Sequence, residues 1–161
     1  VDDPTGQIGF SQSIVWHKYD VSATGLRNHM IRSKEYLMWC LAKSHVGERI
    51  LNFESAVQKR QDVVIHPALD EKHFLKNDNK KLNPSQKPVG LVALMIKNFT
   101  KPGDQVFDPC FGTGTTAIAC LSQGRNFVGF EKDKVQFNYA LKRVKDYIKS
   151  SKSEDVEIKQ K

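Results

Sequence analysis

The chain has few of the residues that mark secreted, metal-binding or membrane proteins. Its three cysteines, Cys40, Cys110 and Cys120, are an odd number without CxxC spacing, so we expect buried, reduced thiols and no zinc site. The five histidines show no paired spacing typical of metal ligands, and no metal is predicted. No apolar run reaches the ~18 residues of a membrane span, and the first residues lack the regions of a signal peptide. These absences favour an intracellular protein of a bacterial cytoplasm or a eukaryotic nucleus, with no membrane partner.

The charge is unbalanced toward the basic side. Lysine and arginine number 25 against 18 acidic residues, which gives a net charge of +7 at pH 7. Such an excess favours a polyanionic partner such as nucleic acid, although scattered lysines also serve ordinary solubility. The 161 residues suit one domain, which we expect over residues 1–150. Residues 151–161 are polar and low in aromatics, and we expect a disordered tail there.

Residues 102–131 follow the order strand, glycine loop, helix, strand. A short apolar run ends in the carboxylate of Asp108, and Gly112 and Gly114 then allow the backbone to turn sharply or to approach a ligand closely. A second short apolar run ends near Glu131. This arrangement is typical of a nucleotide site in which the second acid accepts hydrogen bonds from ribose hydroxyls.

The glycine loop lacks the two common phosphate-binding patterns. GxxxxGK[ST] is absent, and Ala117 stands where GxGxxG requires its third glycine. An acid before the glycines, Asp108, suits a cationic or amine-bearing ligand better than a pyrophosphate. S-adenosylmethionine (SAM), with an amine, a sulfonium and a ribose diol, fits this polarity. From spacing alone, a dinucleotide site and a plain strand–turn–helix remain open alternatives.

Three segments together resemble a known enzyme family. Residues 108–116 (DPCFGTGTT) resemble the methyl-donor loop of the amino-methyltransferases that modify the exocyclic amine of adenine or cytosine in DNA. Residues 83–88 (NPSQKP) are similar to the segment before that loop in the permuted, β-type members, and residues 125–143, with Ala140 and Arg143, resemble the closing strand and helix. One departure is Cys110, where the family usually has phenylalanine.

The resemblance implies an α/β fold, a partial Rossmann-like SAM-dependent methyltransferase sheet without its N-terminal strands. It implies that Asp108 receives the amine of the donor, that Glu131 binds the ribose hydroxyls, and that residues 85–87 line the donor from the other side. The alternatives are loop and helix capping. The implied donor-binding residues are Asp108, Pro109, Cys110, Phe111, Gly112, Thr113, Gly114, Thr115, Thr116, Glu131, Ser85, Gln86 and Lys87.

The implied substrate is DNA, and RNA is not excluded. Lys18, Arg27 and Arg32 are candidate phosphate contacts, with ordinary exposed basic residues as the alternative. The charged run over residues 70–82 is predicted to be a mobile connector, with a rudimentary DNA-contact loop as the second interpretation.

Other segments predict the surrounding elements. We expect an irregular lead-in over residues 1–10, then paired strands over residues 11–18 and 35–43, and a short strand over residues 63–65. Pro88 is predicted to be the first residue of a helix. Its apolar stripe would comprise Val89, Val92, Ala93, Ile96 and Phe99. Thr115 and Gly124 would begin and end the next helix, and Asp133 would lie near the start of the last one.

The sequence contains no Asp-Pro-Pro-Tyr tetrapeptide, the motif that holds the target amine in this family. We therefore identify no catalytic residue in the chain. We expect that an N-terminal half or a partner subunit supplies the motif and the absent central strands. The alternative is a non-catalytic, methyltransferase-like scaffold or nucleic-acid-binding subunit.

Overall fold

The computed structural model of the chain describes residues 6–19, 33–42, 63–69 and 73–159. It divides the chain into two compact units, Val1–Ala68 and Leu69–Lys161. The sequence predicts one domain over residues 1–150, so the boundary after Ala68 falls inside that span.

The first unit holds a three-stranded sheet. Its strands are β1 (Ile8–His17), β2 (Lys34–Ala42) and β3 (Val63–Ile65), in the order β2-β1-β3. β1 runs antiparallel to β2 and parallel to β3. The three predicted strands are therefore confirmed, and so is the pairing of the first two.

The expectation of an irregular lead-in up to residue 10 is wrong, because β1 already begins at Ile8. Ile8 and Phe10 lie opposite Ala42 and Cys40, which extends the antiparallel pair into the polar, glycine-containing start. The register shifts between Phe10 and Gln12, as in a β-bulge. One extra residue in β1 thus keeps the two parts of the strand paired with β2. The alternation of apolar and polar residues in the sequence does not reveal this bulge.

The charged stretch before the glycine loop carries a small hairpin, β4 (Lys76–Asn77) and β5 (Lys80–Lys81). Its turn residues Asp78 and Asn79 both have positive φ, 48° and 64°. A two-residue turn with positive φ at both positions is the type that matches the twist of a hairpin, and Asp and Asn tolerate it. Residues 76–81 are therefore a hairpin and not the irregular connector predicted for residues 70–82, and residues 70–72 lie outside the described residues.

The second unit continues with helices α1 (Val89–Phe99) and α2 (Thr115–Ser122) and a parallel pair of strands, β6 (Gln105–Asp108) and β7 (Asn126–Gly129). This strand–loop–helix–strand order confirms the prediction for residues 102–131. Pro88 is the N-cap of α1 and not its first residue, because its ψ of 135° is extended.

The core of this unit lies between the helices and one face of the parallel pair. Ile96, Ala119 and Cys120 are buried at its centre. Partly buried side chains pack around them from α1, β6 and β7: Val89, Val92, Ala93, Val106 and Phe127. Most of the predicted α1 stripe is thus confirmed as core. On the other face of the strands, Phe107 and Phe130 are 59% and 64% exposed.

Helix α2 ends in a Schellman motif, as Gly124 predicts. Gly124 has φ +68°, its N–H donates to the carbonyl of Leu121, and the N–H of Arg125 donates to that of Cys120.

The Arg125 side chain is only 7% exposed and donates from Nη2 to the carbonyl of Thr100 at 2.7 Å and from Nε to its hydroxyl at 2.9 Å. It also donates to the carbonyl of Gln123. The arginine therefore ties the carboxyl ends of α1 and α2 together.

The last helix, α3, spans Lys134–Lys159. The Asp133 carboxylate accepts the N–H groups of Val135 and Gln136 at 2.8 and 2.9 Å, which confirms the predicted acid at the helix start. The backbone stays helical past residue 150, where the sequence predicts a disordered tail. Among the helices in the described part of the chain, none is long and apolar enough to cross a membrane.

Candidate functional site

The loop between β6 and α2 depends on two glycines. Gly112 has φ +55° and Gly114 has φ +80°, a region that side chains disfavour. A β-carbon built on Gly112 would lie 3.0 Å from Nδ2 of Asn83, and one on Gly114 would lie 3.2 Å from the β-carbon of Ala140. The backbone conformation therefore favours glycine at both positions, and a β-carbon at either one would also press on its neighbour.

Asp108 connects the two ends of this loop. It is the last residue of β6, and its Oδ1 accepts the N–H of Cys110 at 3.0 Å. Its Oδ2 accepts the hydroxyl of Thr116, in the first turn of α2, at 2.7 Å. A single carboxylate thus sets the path of the chain from the strand into the helix.

Glu131 holds the same loop from the neighbouring strand. It follows β7, and its Oε2 accepts the N–H of Gly112 at 2.9 Å while its Oε1 accepts the N–H of Asp133 at 2.9 Å. Since β6 and β7 are parallel, Asp108 and Glu131 lie at the same edge of the pair. An ionised carboxylate has about four acceptor positions, so both acids keep capacity for a ligand.

The upstream segment, residues 83–88, lies against the loop. The Asn83 side chain accepts the N–H of Ser85 at 2.8 Å and donates to Oε1 of Gln136 at 3.1 Å. The carbonyl of Lys87 accepts the hydroxyl of Thr115 at 3.3 Å. The sequence predicts this proximity, but it singles out neither Asn83 nor Gln136.

Gln86 has a different environment from its two neighbours. Its side chain is buried, donates to the carbonyl of His73 at 3.2 Å and accepts the N–H of Leu75 at 3.2 Å. The amide therefore holds the chain that leads into the β4–β5 hairpin. Tyr139 supports the same hairpin by donating its hydroxyl to Oδ1 of Asn77 at 3.0 Å.

The remaining predicted loop residues divide by exposure. Pro109 and Cys110 are exposed, whereas Thr113 and Thr115 are buried. Phe111 makes edge contacts with Phe127 and Phe137, at centroid distances of 5.7 and 6.0 Å. Phe111 therefore packs in an aromatic group inside the unit.

The cysteines also differ from expectation. Only Cys120 is buried, while Cys40 and Cys110 are exposed. Cys40 lies at an outward position of the alternating strand β2, and Cys110 lies on the loop. Burial raises the pKa of the Cys120 thiol; Arg125 opposes this effect and Asp108 adds to it.

Of the predicted phosphate contacts, Lys18 is described and Arg27 and Arg32 lie outside the described residues. Lys18 forms an ion pair with Glu35 at 2.5 Å, and its ammonium lies 4.8 Å from the ring centroid of Trp16. Its charge is thus already partnered within the first unit. Within the described ranges, no group of three His, Cys, Asp or Glu side chains could hold a metal ion.

Arg143 is a site residue to which the sequence assigns no role. Its Nη1 donates to the carbonyl of Thr113 at 3.1 Å and to the hydroxyl of Thr115 at 3.3 Å. Burial lowers the pKa of this guanidinium from its ordinary value. A signal was available, because Ala140 and Arg143 are three residues apart and share the face of α3 that meets the loop.

Comparison with curated proteins finds type II methyltransferases. The type II methyltransferase M.HinfI of Haemophilus influenzae is 26% identical over 139 residues, which cover 83% of this chain and 38% of that protein. M.BglI of Bacillus subtilis is 29% identical over 150 residues, which cover 92% of this chain and 39% of that protein. The chain therefore spans about two fifths of the length of these curated relatives.

Solved structures of DNA methyltransferases have a similar fold. The crystal structure of an M1.HpyAVI–SAM complex superposes with a TM-score of 0.70 at 26% identity, over 87% of this chain and 64% of that one. The cytosine-N4-specific PvuII DNA methyltransferase gives a TM-score of 0.63 at 14% identity, over 89% of this chain and 57% of that one, a likeness of fold alone. The predicted α/β methyltransferase fold is confirmed. The model of the N6/N4 DNA methylase family matches residues 3–142, and this match across the loop and both acids shows that the chain belongs to that family.

Proposed function

We propose that the chain forms the SAM-binding part of a DNA methyltransferase that acts on the exocyclic amine of adenine or cytosine. The observation that carries the proposal is the loop held by Asp108 and Glu131 at the ends of two neighbouring parallel strands. Family membership supports it, and M1.HpyAVI was crystallised with SAM. When bound, SAM would supply a methyl group carried on a positively charged sulfur.

The residues present fit such a ligand in chemistry. Gly112 allows the loop to take the left-handed conformation in which its N–H bonds the Glu131 carboxylate. Asp108 brings a negative charge to a site meant for a cationic nucleoside, and Glu131 can accept hydroxyl protons. Ser85 and Lys87 lie on the segment that faces the loop, because the carbonyl of Lys87 is bonded to Thr115. Transfer would depend on holding donor and amine in line.

Calorimetry with SAM tests the donor site. We expect the unaltered chain to bind SAM and Asp108→Asn to bind it about tenfold more weakly or worse, an affinity loss of ~1.4 kcal/mol. Asp146→Asn is the matched control, because Asp146 is an exposed acid on α3. Equal affinities for the two variants would exclude a donor role for Asp108. No heat with the unaltered chain would favour the scaffold interpretation.

We further propose that the catalytic tetrapeptide comes from outside these 161 residues, either from an N-terminal half or from a partner subunit. The 161 residues contain no Asp-Pro-Pro-Tyr, and the match covers 38–39% of the curated relatives. The exposed Phe107 and Phe130 offer an apolar face for additional structure. Transfer of a labelled methyl group to matched DNA and RNA oligonucleotides, with and without a second polypeptide that carries the motif, tests both points. Transfer by this chain alone would contradict the proposal.

A further inference from the structure

We propose that Arg143 is a positioning residue for SAM binding, acting through an Arg143–Thr115–Lys87 hydrogen-bond chain that orders the glycine loop. This inference rests on the proposed function, since it concerns the affinity of the same site. The chain of hydrogen bonds links three elements: α3, the first turn of α2 and residues 83–88.

The direction of each hydrogen bond is set by chemistry. Arg143 has donors only, so the hydroxyl oxygen of Thr115 must accept from its Nη1 at 3.3 Å. The single proton of that hydroxyl is then donated to the carbonyl of Lys87 at 3.3 Å. Both acceptor and donor capacities of Thr115 are used, and the residue is buried. A side chain without a hydroxyl at this position would break both links.

The second donor contact of Arg143 reaches the loop itself. Nη1 donates to the carbonyl of Thr113 at 3.1 Å, and Thr113 is only 2% exposed. Thr113 lies between the two glycines, where the backbone has the least intrinsic preference for one conformation. A buried carbonyl that loses its donor is costly, so we expect the loop to rearrange when Arg143 is replaced.

The effect should be local. The same three elements also meet where Asn83 bonds Gln136 and where Gly114 approaches Ala140. These contacts remain when Arg143 is removed, so the helix should stay in place while the loop loosens. A loose loop must be ordered on binding, and the ordering free energy is subtracted from the affinity.

Arg125 provides a matched control. It is also a buried arginine, and it bonds Thr100 and Gln123 at the opposite end of α2. Its contacts include no residue of the glycine loop. Arg125→Met should therefore destabilise the fold without changing loop order or SAM affinity in the folded protein.

Hydrogen exchange and calorimetry on the full chain test the inference. For Arg143→Met and Thr115→Val we expect exchange of the 111–116 amides, measured without SAM, to speed up about tenfold, and the Kd for SAM to rise about tenfold, the equivalent of one charged hydrogen bond. Arg143→Lys keeps the charge, serves if the methionine variant fails to fold, and should show a smaller change. Arg125→Met should leave both readouts unchanged below its unfolding transition.

The outcomes separate this inference from the proposed function. Unaltered loop exchange and Kd in Arg143→Met would overturn the inference, as would equal changes in Arg143→Met and Arg125→Met. Absence of SAM binding by the unaltered chain would instead overturn the proposed function, and it would overturn the affinity claim with it. The exchange comparison would still report on the ordering of the loop.

Discussion

At Gly112 both the positive φ and the Asn83 contact oppose a larger side chain, and mutation can separate their contributions to stability. We expect Gly112→Ala to lower the free energy of unfolding by about 1–2 kcal/mol for the backbone conformation, plus a further loss because the new β-carbon would lie 3.0 Å from Nδ2 of Asn83. Gly103→Ala is the control, since φ is +85° there and no described atom lies within 4 Å of its built β-carbon. Urea unfolding measures both. Equal losses would show that the Asn83 contact carries no cost.

Because of the Cys120 thiol, we expect the free energy of unfolding to fall as the pH rises in the alkaline range. Its pKa in the folded chain is raised above the ordinary 9.0, chiefly by burial. Well below the ordinary pKa the thiol is protonated in both the folded and the unfolded chain, and its contribution to the free energy of unfolding is complete. As the pH rises, the unfolded chain ionises first and stability falls until the folded pKa is passed.

We therefore expect the unfolding midpoint of the unaltered chain to fall more steeply than that of Cys120→Ala as the pH rises through and above the ordinary thiol pKa of 9.0. Thermal unfolding across this range measures the two slopes. Lysine and tyrosine titrations are common to both proteins and cancel in the comparison. Parallel slopes would contradict a raised Cys120 pKa.

Among the elements, α2 ends by a backbone device that requires one left-handed residue. We expect Gly124→Ala to cost about 1 kcal/mol, because φ is +68° there and alanine disfavours it. No described atom lies within 4 Å of a β-carbon built at this position, so the cost is conformational and not steric. Gly124→Asn should cost less, since asparagine tolerates this conformation. Chemical unfolding of the two variants measures which loses more stability. An equal loss of unfolding free energy in both would refute the conformational explanation.

The elements with local signals could be predicted from the sequence. Apolar spacing marks α1, and the glycine loop with Gly124 marks β6, α2 and β7 within a residue or two. The β4–β5 hairpin was missed because its strands are two residues long and lysine-rich, and its turn has no glycine. The sequence names Arg143 but assigns it no role, because its hydrogen-bond partners lie about thirty residues away and its burial depends on the docking of α3.

At the scale of the whole molecule, the uncovered face of the parallel pair matters most. Phe107 is 59% exposed, Phe130 is 64% exposed and Val128 is 40% exposed. The two phenylalanine rings touch edge to face at 5.9 Å, so they form one continuous apolar patch. A two-stranded parallel sheet with an apolar open face is unusual, because parallel sheets are commonly covered on both sides.

We expect the isolated chain to self-associate with rising concentration, and a Phe107→Gln, Phe130→Gln double variant to remain smaller. Light scattering coupled to size exclusion measures the mass. Leu94→Gln is the control, because Leu94 is a 38% exposed apolar residue on α1. A cooperatively folding, concentration-independent monomer would count against the patch as a contact surface.

The close approach of Gly114 to Ala140 influences the orientation of helix α3. The 26 residues of α3, with a rise of about 1.5 Å per residue, place its first and last residues about 38 Å apart, and Ala140 lies about 9 Å from the first and about 29 Å from the last. A β-carbon at Gly114 would lie 3.2 Å from that of Ala140, so we expect Gly114→Ala to displace α3 and, if the helix moves as a rigid rod, its farther end to move about three times as far as its nearer end. The small residues at positions 114 and 140 thereby determine the direction of α3, the longest helix of the unit.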